Sequence, residues 1–169
     1  MKELGNLQVD RVLLATDFSR WTTNAVEFAF DLARRFDAEV LMVHGIEPIN
    51  DAAVDEEEDD GGFEEFFGEL VERSRRELEE LVARAQDFEV AARFHIEIGQ
   101  RWRIIVEQAE REDVDLIVMG RRAYRRQSEV TLGTTSQRVF FSSPRPVLTV
   151  PSEVDEPLEE DDEANEDPS

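Results

Sequence analysis

The sequence contains no cysteine, only two histidines, His44 and His95, and a single lysine, Lys2. The absence of cysteine excludes disulfides, thiolate nucleophiles and cysteine metal sites, and two histidines leave little for a histidine-based metal centre. No apolar run approaches the roughly 18–20 residues that a membrane-spanning helix needs, and the N-terminus lacks the apolar core of a signal peptide. We therefore expect a cytoplasmic protein with no membrane association.

Bases are also scarce relative to acids, 19 against 41, which gives a net charge of −22. We expect no nucleic acid partner, because nucleic acid is itself a polyanion. The acids concentrate in two segments that hold no base, residues 50–60 with seven acids and residues 152–169 with ten. Such acidity with so little lysine suggests a salt-adapted, halophilic source, although GC-rich codon usage would also favour arginine over lysine.

Five strand-like segments alternate with four helical patterns along the chain. Continuous apolar runs at 11–16, 39–46 and 114–119 predict strands buried on both faces. The alternating segment 89–98 and the proline-flanked segment 146–150 are typical of edge strands. This alternation predicts an α/β fold, an open parallel five-stranded sheet in the order 3-2-1-4-5 with helices on both faces.

The helical patterns carry their own expectations. Ser19 is the expected N-cap of the first helix. In the second helix Phe66 and Phe67 belong to an apolar stripe that we expect to be core, and in the fourth Val139 and Phe140 are expected to point inward. We expect one domain over residues 1–151 with an exposed acidic loop at about 47–62, followed by a disordered acidic tail over 152–169.

The predicted strand order reverses direction between the first and fourth strands. Open α/β sheets bind ligands at such a switch point, outside the carboxyl ends of the strands. The first strand ends in Thr16-Asp17 and the fourth in Met119-Gly120. These two strand ends should therefore meet at a pocket.

A glycine pattern follows the fourth strand. The segment Gly120–Ala123 is followed by nine residues and then by Gly133-Thr134. Gly120 would let the backbone turn sharply as it leaves the strand. Gly133 and Thr134 would present N–H groups and a hydroxyl at a helix start, where the helix dipole favours an anion. The pattern is compatible with phosphate binding, and simple turn and helix-start chemistry is the alternative.

Five segments together resemble the universal stress protein family, in the family's order and spacing over about residues 10–151. They are Val12–Ser19, Val43–Pro48, Val114–Gly120, Leu132–Val139 and Arg145–Val150. The resemblance implies a fold like that of the adenine nucleotide alpha hydrolases. It also implies a small cytoplasmic stress-response or regulatory module that binds ATP, with Mg²⁺ accompanying the nucleotide.

In the ATP-binding branch of that family, the motif is Gly, two residues, Gly, nine residues, Gly, then Ser or Thr. This chain keeps the spacing with Gly120, Gly133 and Thr134 but has Ala123 at the second glycine. Arginines replace the small residues that the family has directly after the first glycine, and Arg101 stands where the family usually has a proline.

The resemblance to the family also implies roles for other residues of this chain, one position at a time. Asp17 matches the acid that the family uses near the ribose and phosphates, and a helix-capping role is its alternative. Ala15 and Gly45 match positions that line the adenine pocket. The candidate nucleotide contacts are Ala15, Thr16, Asp17, Gly45, Met119, Gly120, Arg121, Ala123, Gly133, Thr134 and Thr135.

Two functions stay open at this point, a nucleotide-binding regulatory module and a nucleotide-free interaction or scaffold module of the same fold. No Walker loop, nucleophile elbow or paired nucleophile and base occurs in the sequence. We therefore expect no enzyme, although slow ATP turnover is compatible with the family. The cluster Arg121, Arg122, Arg125 and Arg126 would suit phosphates or the chain's own acidic segments.

The last predicted strand, Pro146–Val150, is short and apolar, with Val147, Leu148 and Val150 in its middle. An exposed apolar edge invites pairing with another chain. A twofold contact would pair the strand with its own copy through one self-complementary patch. We therefore expect a homodimer through this strand, and family members commonly dimerise there; the sequence names no other protein partner.

Overall fold

The computed structural model describes residues 8–48, 62–121 and 133–152. Strand and helix alternate throughout these residues, as the sequence predicts. The elements are β1 (Arg11–Ala15), α1 (Thr23–Phe36), β2 (Glu39–Ile46), α2 (Gly62–Asp87), β3 (Ala92–Ile98), α3 (Arg101–Arg111), β4 (Leu116–Arg121), α4 (Thr134–Ser142) and β5 (Val147–Pro151).

The strands form one parallel sheet in the order β3-β2-β1-β4-β5, which confirms the predicted fold class and strand order. In the centre, Val12 of β1 is in register with Val40 of β2 on one side and Leu116 of β4 on the other. The chain therefore reverses its progress across the sheet between β1 and β4. The expected switch point lies at the carboxyl ends of these two strands.

Helices on both faces bury the sheet in two cores. Leu14 of β1 packs with Phe30 of α1 and Leu78 of α2 on one face. Leu13 packs with Ile105 of α3 and Val139 of α4 on the other face. Because successive strand residues point to opposite faces, a strand covered on both sides must be apolar throughout. This explains the unbroken apolar run of β1.

The first helix begins later than the sequence predicts. Thr22, not Ser19, precedes α1 as its N-cap residue. The carbonyl of Ser19 accepts hydrogen bonds from both the N–H and the Oγ1 of Thr22 at 2.9 Å. This extra turn occupies the expected start of the helix, so the prediction for Ser19 was wrong.

Two side chains that were expected in the core are exposed. Phe140 is 56% and Phe66 46% exposed, whereas their neighbours Val139 and Phe67 are buried. Consecutive residues of an α-helix are about 100° apart around its axis, and in these two pairs only one member faces the core. Phe140 instead packs edge-on against Phe141, with ring centroids 5.3 Å apart.

Most of the predicted acidic loop and tail lies outside the described residues. Ser152, which the sequence assigns to the tail, is 3% exposed. Its N–H donates to the carbonyl of Arg121 at 3.0 Å, so the packed part of the chain includes this residue. None of the helices in the described residues is long and apolar enough to cross a membrane.

Three helices are followed by an acidic residue in the left-handed backbone region. Asp37 (φ 55°), Glu89 (φ 58°) and Asp113 (φ 50°) follow α1, α2 and α3. After α2, the N–H of Val90 donates back to the carbonyl of Ala85 at 3.1 Å. This backbone conformation normally favours glycine, because a Cβ atom is crowded there.

We predict that Glu89→Gly raises the free energy of unfolding, because it removes the Cβ from a strained position on an exposed turn. The expected gain is about 0.5–1 kcal/mol after the greater flexibility of glycine in the unfolded chain is subtracted. Chemical denaturation measures it. The control Glu89→Ala removes the same charge but keeps the Cβ. A glycine variant that is no more stable than the alanine variant would show that the Cβ at position 89 is not strained.

Candidate functional site

A cavity of about 100 Å³ opens where the carboxyl ends of β1, β2 and β4 meet the N-terminal halves of α3 and α4. It is the switch-point pocket that the strand order predicts. The residues around it are Ala15, Thr16, Asp17, Thr22, Val43, Gly45, Arg101, Ile105, Met119, Gly120, Thr135 and Ser136.

Seven of the eleven candidate nucleotide contacts line this switch-point cavity: Ala15, Thr16, Asp17, Gly45, Met119, Gly120 and Thr135. Gly133 and Thr134 begin α4 beside Thr135 but are not part of the lining. Arg121 ends β4 outside the lining, with its carbonyl bonded to Ser152. Ala123 lies outside the described residues.

Gly120 has a different role from the predicted turn. It continues β4, where it is in register with Val150 of β5. A Cβ atom at this position would lie 2.5 Å from the carbonyl oxygen of Trp21 and 2.9 Å from the Cα of Thr22. The missing side chain therefore lets the connection between β1 and α1 cross directly over the end of β4.

That connection holds Asp17 at the mouth of the cavity. Thr16 is buried, and its Oγ1 accepts the N–H of Phe18 at 3.1 Å. Asp17 is exposed, and its Oδ1 accepts the N–H of Ser19 at 3.0 Å. The carboxylate thus stabilises its own loop rather than the start of α1, so it does not cap that helix. Its second oxygen has no hydrogen-bond partner among the described residues.

His44 supports this loop from β2. Its Nδ1–H donates to the carbonyl of Thr16 at 2.8 Å, and its ring packs on Phe18 with centroids 4.5 Å apart. Burial lowers the pKa of His44 below its usual 6.5, and the positive charges of Arg101 and Arg73 act in the same direction. The hydrogen bond to Thr16 and the negative charge of Asp17 oppose this shift, and the net lowering of the pKa favours a neutral ring.

Phe18 itself has φ 60°, in the left-handed region, which costs a bulky residue energy. Its position is fixed by its N–H bond to Thr16 and by its contact with His44. Strained residues held in this way cluster at functional sites. The strain therefore lies directly beside Asp17.

A second, larger cavity of about 580 Å³ adjoins the first one. Asp17, Gly45 and Arg101 line both. The outer wall of this second cavity comes from α2, which contributes Phe66 and Arg73 among others. Sequence reasoning missed this wall because α2 was interpreted only as core packing. The signal was the spacing of seven residues between Phe66 and Arg73, which places an aromatic ring and a cation on one helix face.

Arg101 lines both cavities and lies against Gly45. A Cβ on Gly45 would lie 3.1 Å from the Cα and 3.2 Å from the Cγ of Arg101. Glycine at position 45 therefore lets the first residue of α3 approach β2 closely. The Nε of Arg101 is 3.8 Å from Oε2 of Glu47, and the arginine side chain is 47% exposed. Its guanidinium is close to a carboxylate but makes no hydrogen bond to it.

The fold and the cavity define an open α/β protein with a cavity at its switch point. The model of the universal stress protein family matches residues 8–151. The chain therefore belongs to the universal stress protein family, as the sequence resemblance indicated.

Its relatives include proteins from archaea and bacteria. A universal stress protein of Thermus aquaticus is 32% identical over 141 residues, which covers 82% of this chain and 96% of the relative. Universal stress protein MJ0531 of Methanocaldococcus jannaschii is 28% identical over 140 residues, which covers 83% of this chain and 81% of the relative. The solved structure of MJ0577 has a TM-score of 0.66 and 26% identity, and the match covers 86% of this chain and 97% of that protein.

Two solved structures of the same fold contain nucleotides. A universal stress protein from Archaeoglobus fulgidus in complex with dAMP has a TM-score of 0.60 and 16% identity, covering 85% of this chain and 98% of that protein. A universal stress protein in complex with cAMP has a TM-score of 0.59 and 18% identity, with the same coverage. At these identities the likeness to this chain shows the shared fold.

We predict that stability decreases as the pH falls below about 6.5, in part through His44. The unfolded chain binds a proton at His44 near pH 6.5, whereas the lowered pKa keeps the folded ring neutral. Proton uptake then favours the unfolded state. Chemical denaturation between pH 7.5 and pH 5.5 measures the effect.

The matched variant for this measurement is His44→Gln, which cannot titrate. We expect it to lose less stability than the wild type over the same pH range. The pKa of Glu97 is also shifted, but it is lowered from 4.5, so its contribution falls at more acidic pH. Equal losses in the two proteins would show that His44 does not resist protonation.

Proposed function

We propose that this universal stress protein is a nucleotide-binding regulatory module of the cytoplasm and that it binds ATP at the switch-point cavity. The observation that carries the proposal is the meeting of three features at one cavity. They are the free carboxylate oxygen of Asp17, the backbone of Gly120 in the cavity lining and the N-terminal turn of α4.

The N-terminal turn of α4 suits the phosphates. Gly133 precedes the helix without a side-chain capping bond, and the first turn contains no acidic residue. The N–H groups of such a turn have no partners within the helix, and they attract anions together with the helix dipole. Thr135 and Ser136 lie on the cavity wall and add two hydroxyl groups.

Asp17 suits the sugar. A carboxylate at the end of a central strand can accept hydrogen bonds from ribose hydroxyls, as acidic residues do in other nucleotide-binding α/β folds. Its exposed second oxygen is also a suitable ligand for Mg²⁺, which binds carboxylates together with substrate phosphates. Mg²⁺ would enter with the nucleotide and shield the phosphate charge.

The structures with dAMP and cAMP support the proposal at the level of the fold, since they show that it accommodates adenine nucleotides. The described part of the switch-point cavity, about 100 Å³, is smaller than typical ligand sites of 300–1,000 Å³. The adjoining cavity of about 580 Å³ provides the remaining space. We propose no catalytic role, because no nucleophile and base are paired at this site among the described residues.

A nucleotide-free scaffold module is the second candidate. Two departures from the family's pattern favour it. Arg101 lies against Gly45 at the base end of the site, and Ala123 replaces the second glycine of the motif. In this case the site would be a remnant, and the chain would act through protein contacts alone.

The first prediction for this site concerns ATP. We expect calorimetric binding of ATP with Mg²⁺, and we expect Asp17→Asn to weaken it about tenfold, the usual effect of losing a hydrogen bond to a charged group. The control Asp87→Asn removes the same charge at the far end of α2. Absence of any heat and thermal shift at millimolar ATP would favour the scaffold.

We also propose a homodimer through β5. Among the described residues, no strand lies on the outer side of β5, and the exposed rings of Phe140 and Phe141 are on the adjacent helix α4. The carbonyl of Pro146 and the N–H of Ser152 bond to β4. By the alternation of a strand, the N–H groups of Val147 and Thr149 point outward to a second copy.

We predict that Thr149→Pro dissociates the dimer, because it removes an outward N–H without touching the bonds to β4. Light scattering on the wild type and the variant measures the mass, and Thr149→Val, which keeps the N–H, is the control. Two chains of charge −22 repel, so the dimer should tighten with salt. A monomeric wild type at every salt concentration, or a dimeric proline variant, would exclude this interface.

A further inference from the structure

The sheet places three parts of the cavity in a fixed order. β2 and β4 flank β1 on opposite sides, and their neighbouring axes are each about 4.8 Å from that of β1. Thr135 and Ser136, at the proposed phosphate end, belong to α4, the helix that connects β4 to β5. Asp17 follows β1 in the middle, and Gly45 and Arg101 lie at the β2 end. A nucleotide with its phosphates on α4 and its ribose on Asp17 therefore directs its base toward Arg101.

This base end is rich in hydrogen-bond donors. Arg101 is the first residue of α3, and the preceding Gln100 makes no side-chain capping bond. Arg103 and Ile104 are the first residues of α3 whose N–H groups bond back, both to the carbonyl of Gln100. The guanidinium itself carries five N–H donors and no acceptor. A base that binds here needs acceptor atoms on the edge that meets Arg101.

We propose that Arg101 makes the site prefer a guanine base over an adenine base, an inference that rests on the proposed nucleotide site. Guanine presents two adjacent acceptors, N7 and O6, which a guanidinium binds with two parallel hydrogen bonds. Adenine presents N7 beside an amino group, which is a donor and faces the guanidinium unfavourably. ATP and GTP share the same phosphate and ribose contacts, so the difference arises at Arg101.

Glu47 adds to this selection. Its Oε2 lies 3.8 Å from the Nε of Arg101, which is too far for a hydrogen bond. The guanidinium thus remains available to a ligand. The carboxylate provides an acceptor beside it, and guanine has N–H donors at N1 and N2 next to its O6. An arginine beside a carboxylate matches the acceptor–donor sequence along this edge of guanine.

Calorimetry of GTP and ATP with Mg²⁺ against the full-length chain tests the inference. We expect the wild type to bind GTP about tenfold more tightly than ATP or better, the range of one bidentate arginine–guanine contact. Arg101→Ala should bring the two affinities together. Arg101→Lys keeps the charge but not the planar pair of donors, so it should also lose most of the preference.

Arg103→Ala is the matched control on the same helix. Arg103 is exposed, its guanidinium lies 5.5 Å from the ring centroid of Trp102, and it lines neither cavity. This variant should keep the preference for GTP, and the melting temperatures of all variants establish that they are folded.

The outcomes separate this inference from the proposed function. Equal affinities in the wild type, or tighter binding of ATP, would overturn the guanine preference while nucleotide binding stands. Such an ATP preference, if Glu47→Gln abolishes it, would assign the carboxylate to the amino group of adenine instead. Loss of the GTP preference in Arg103→Ala would also overturn the role of Arg101. Binding of neither nucleotide would overturn both proposals.

Discussion

The close approach between the β1–α1 connection and the end of β4 determines the geometry of the site. The carbonyl of Trp21 and the Cα of Thr22 occupy the space of a side chain at position 120. Any larger residue there would push the connection away from the sheet. The loop that contains Asp17 would then move with it, because Thr22 is tied to Ser19 and to Thr16. One missing Cβ thus aligns the carboxylate with the start of α4.

A second close approach, at Gly45, organises the opposite end of the cavity. There the absent side chain brings the N-terminus of α3 against β2, so the first side chain of α3, Arg101, enters the boundary between the two cavities. The sheet fixes the separation of the two ends, since Gly45 and Gly120 lie on strands that flank β1. Each of the two glycines lets a neighbouring segment of the chain approach the sheet closely.

The strands and their order could be predicted from the sequence because burial on both faces imposes continuous apolar runs, and parallel strands need crossover helices. The switch point and the strand ends Thr16-Asp17 and Met119-Gly120 followed from that order, whereas Ala15 and Gly45 came from the family resemblance. The role of Gly120 could not be predicted, because the residues that fill its missing Cβ are about a hundred positions away. The predicted inward orientation of Phe140 was wrong, because the apolar pair Val139-Phe140 on a short helix does not show which member faces inward.

The same limit explains why the second cavity was missed. Its wall combines Phe18, held in a strained conformation by His44, with side chains of α2. Nothing local in the sequence brings these segments together.

The two ends of the site differ in what constrains them. At the proposed phosphate end, backbone N–H groups and hydroxyls on α4 are donors that the phosphates of any nucleotide could use, so this end would not distinguish one base from another. At the other end, the long side chain of Arg101 on the first turn of α3 would face the base of the proposed nucleotide. Replacing Arg101 changes neither the sheet nor the close approach at Gly45, because the Cα remains in place. The proposed base selection is therefore separable from the proposed nucleotide binding, because it depends on the side chain of Arg101 rather than on the backbone that positions it.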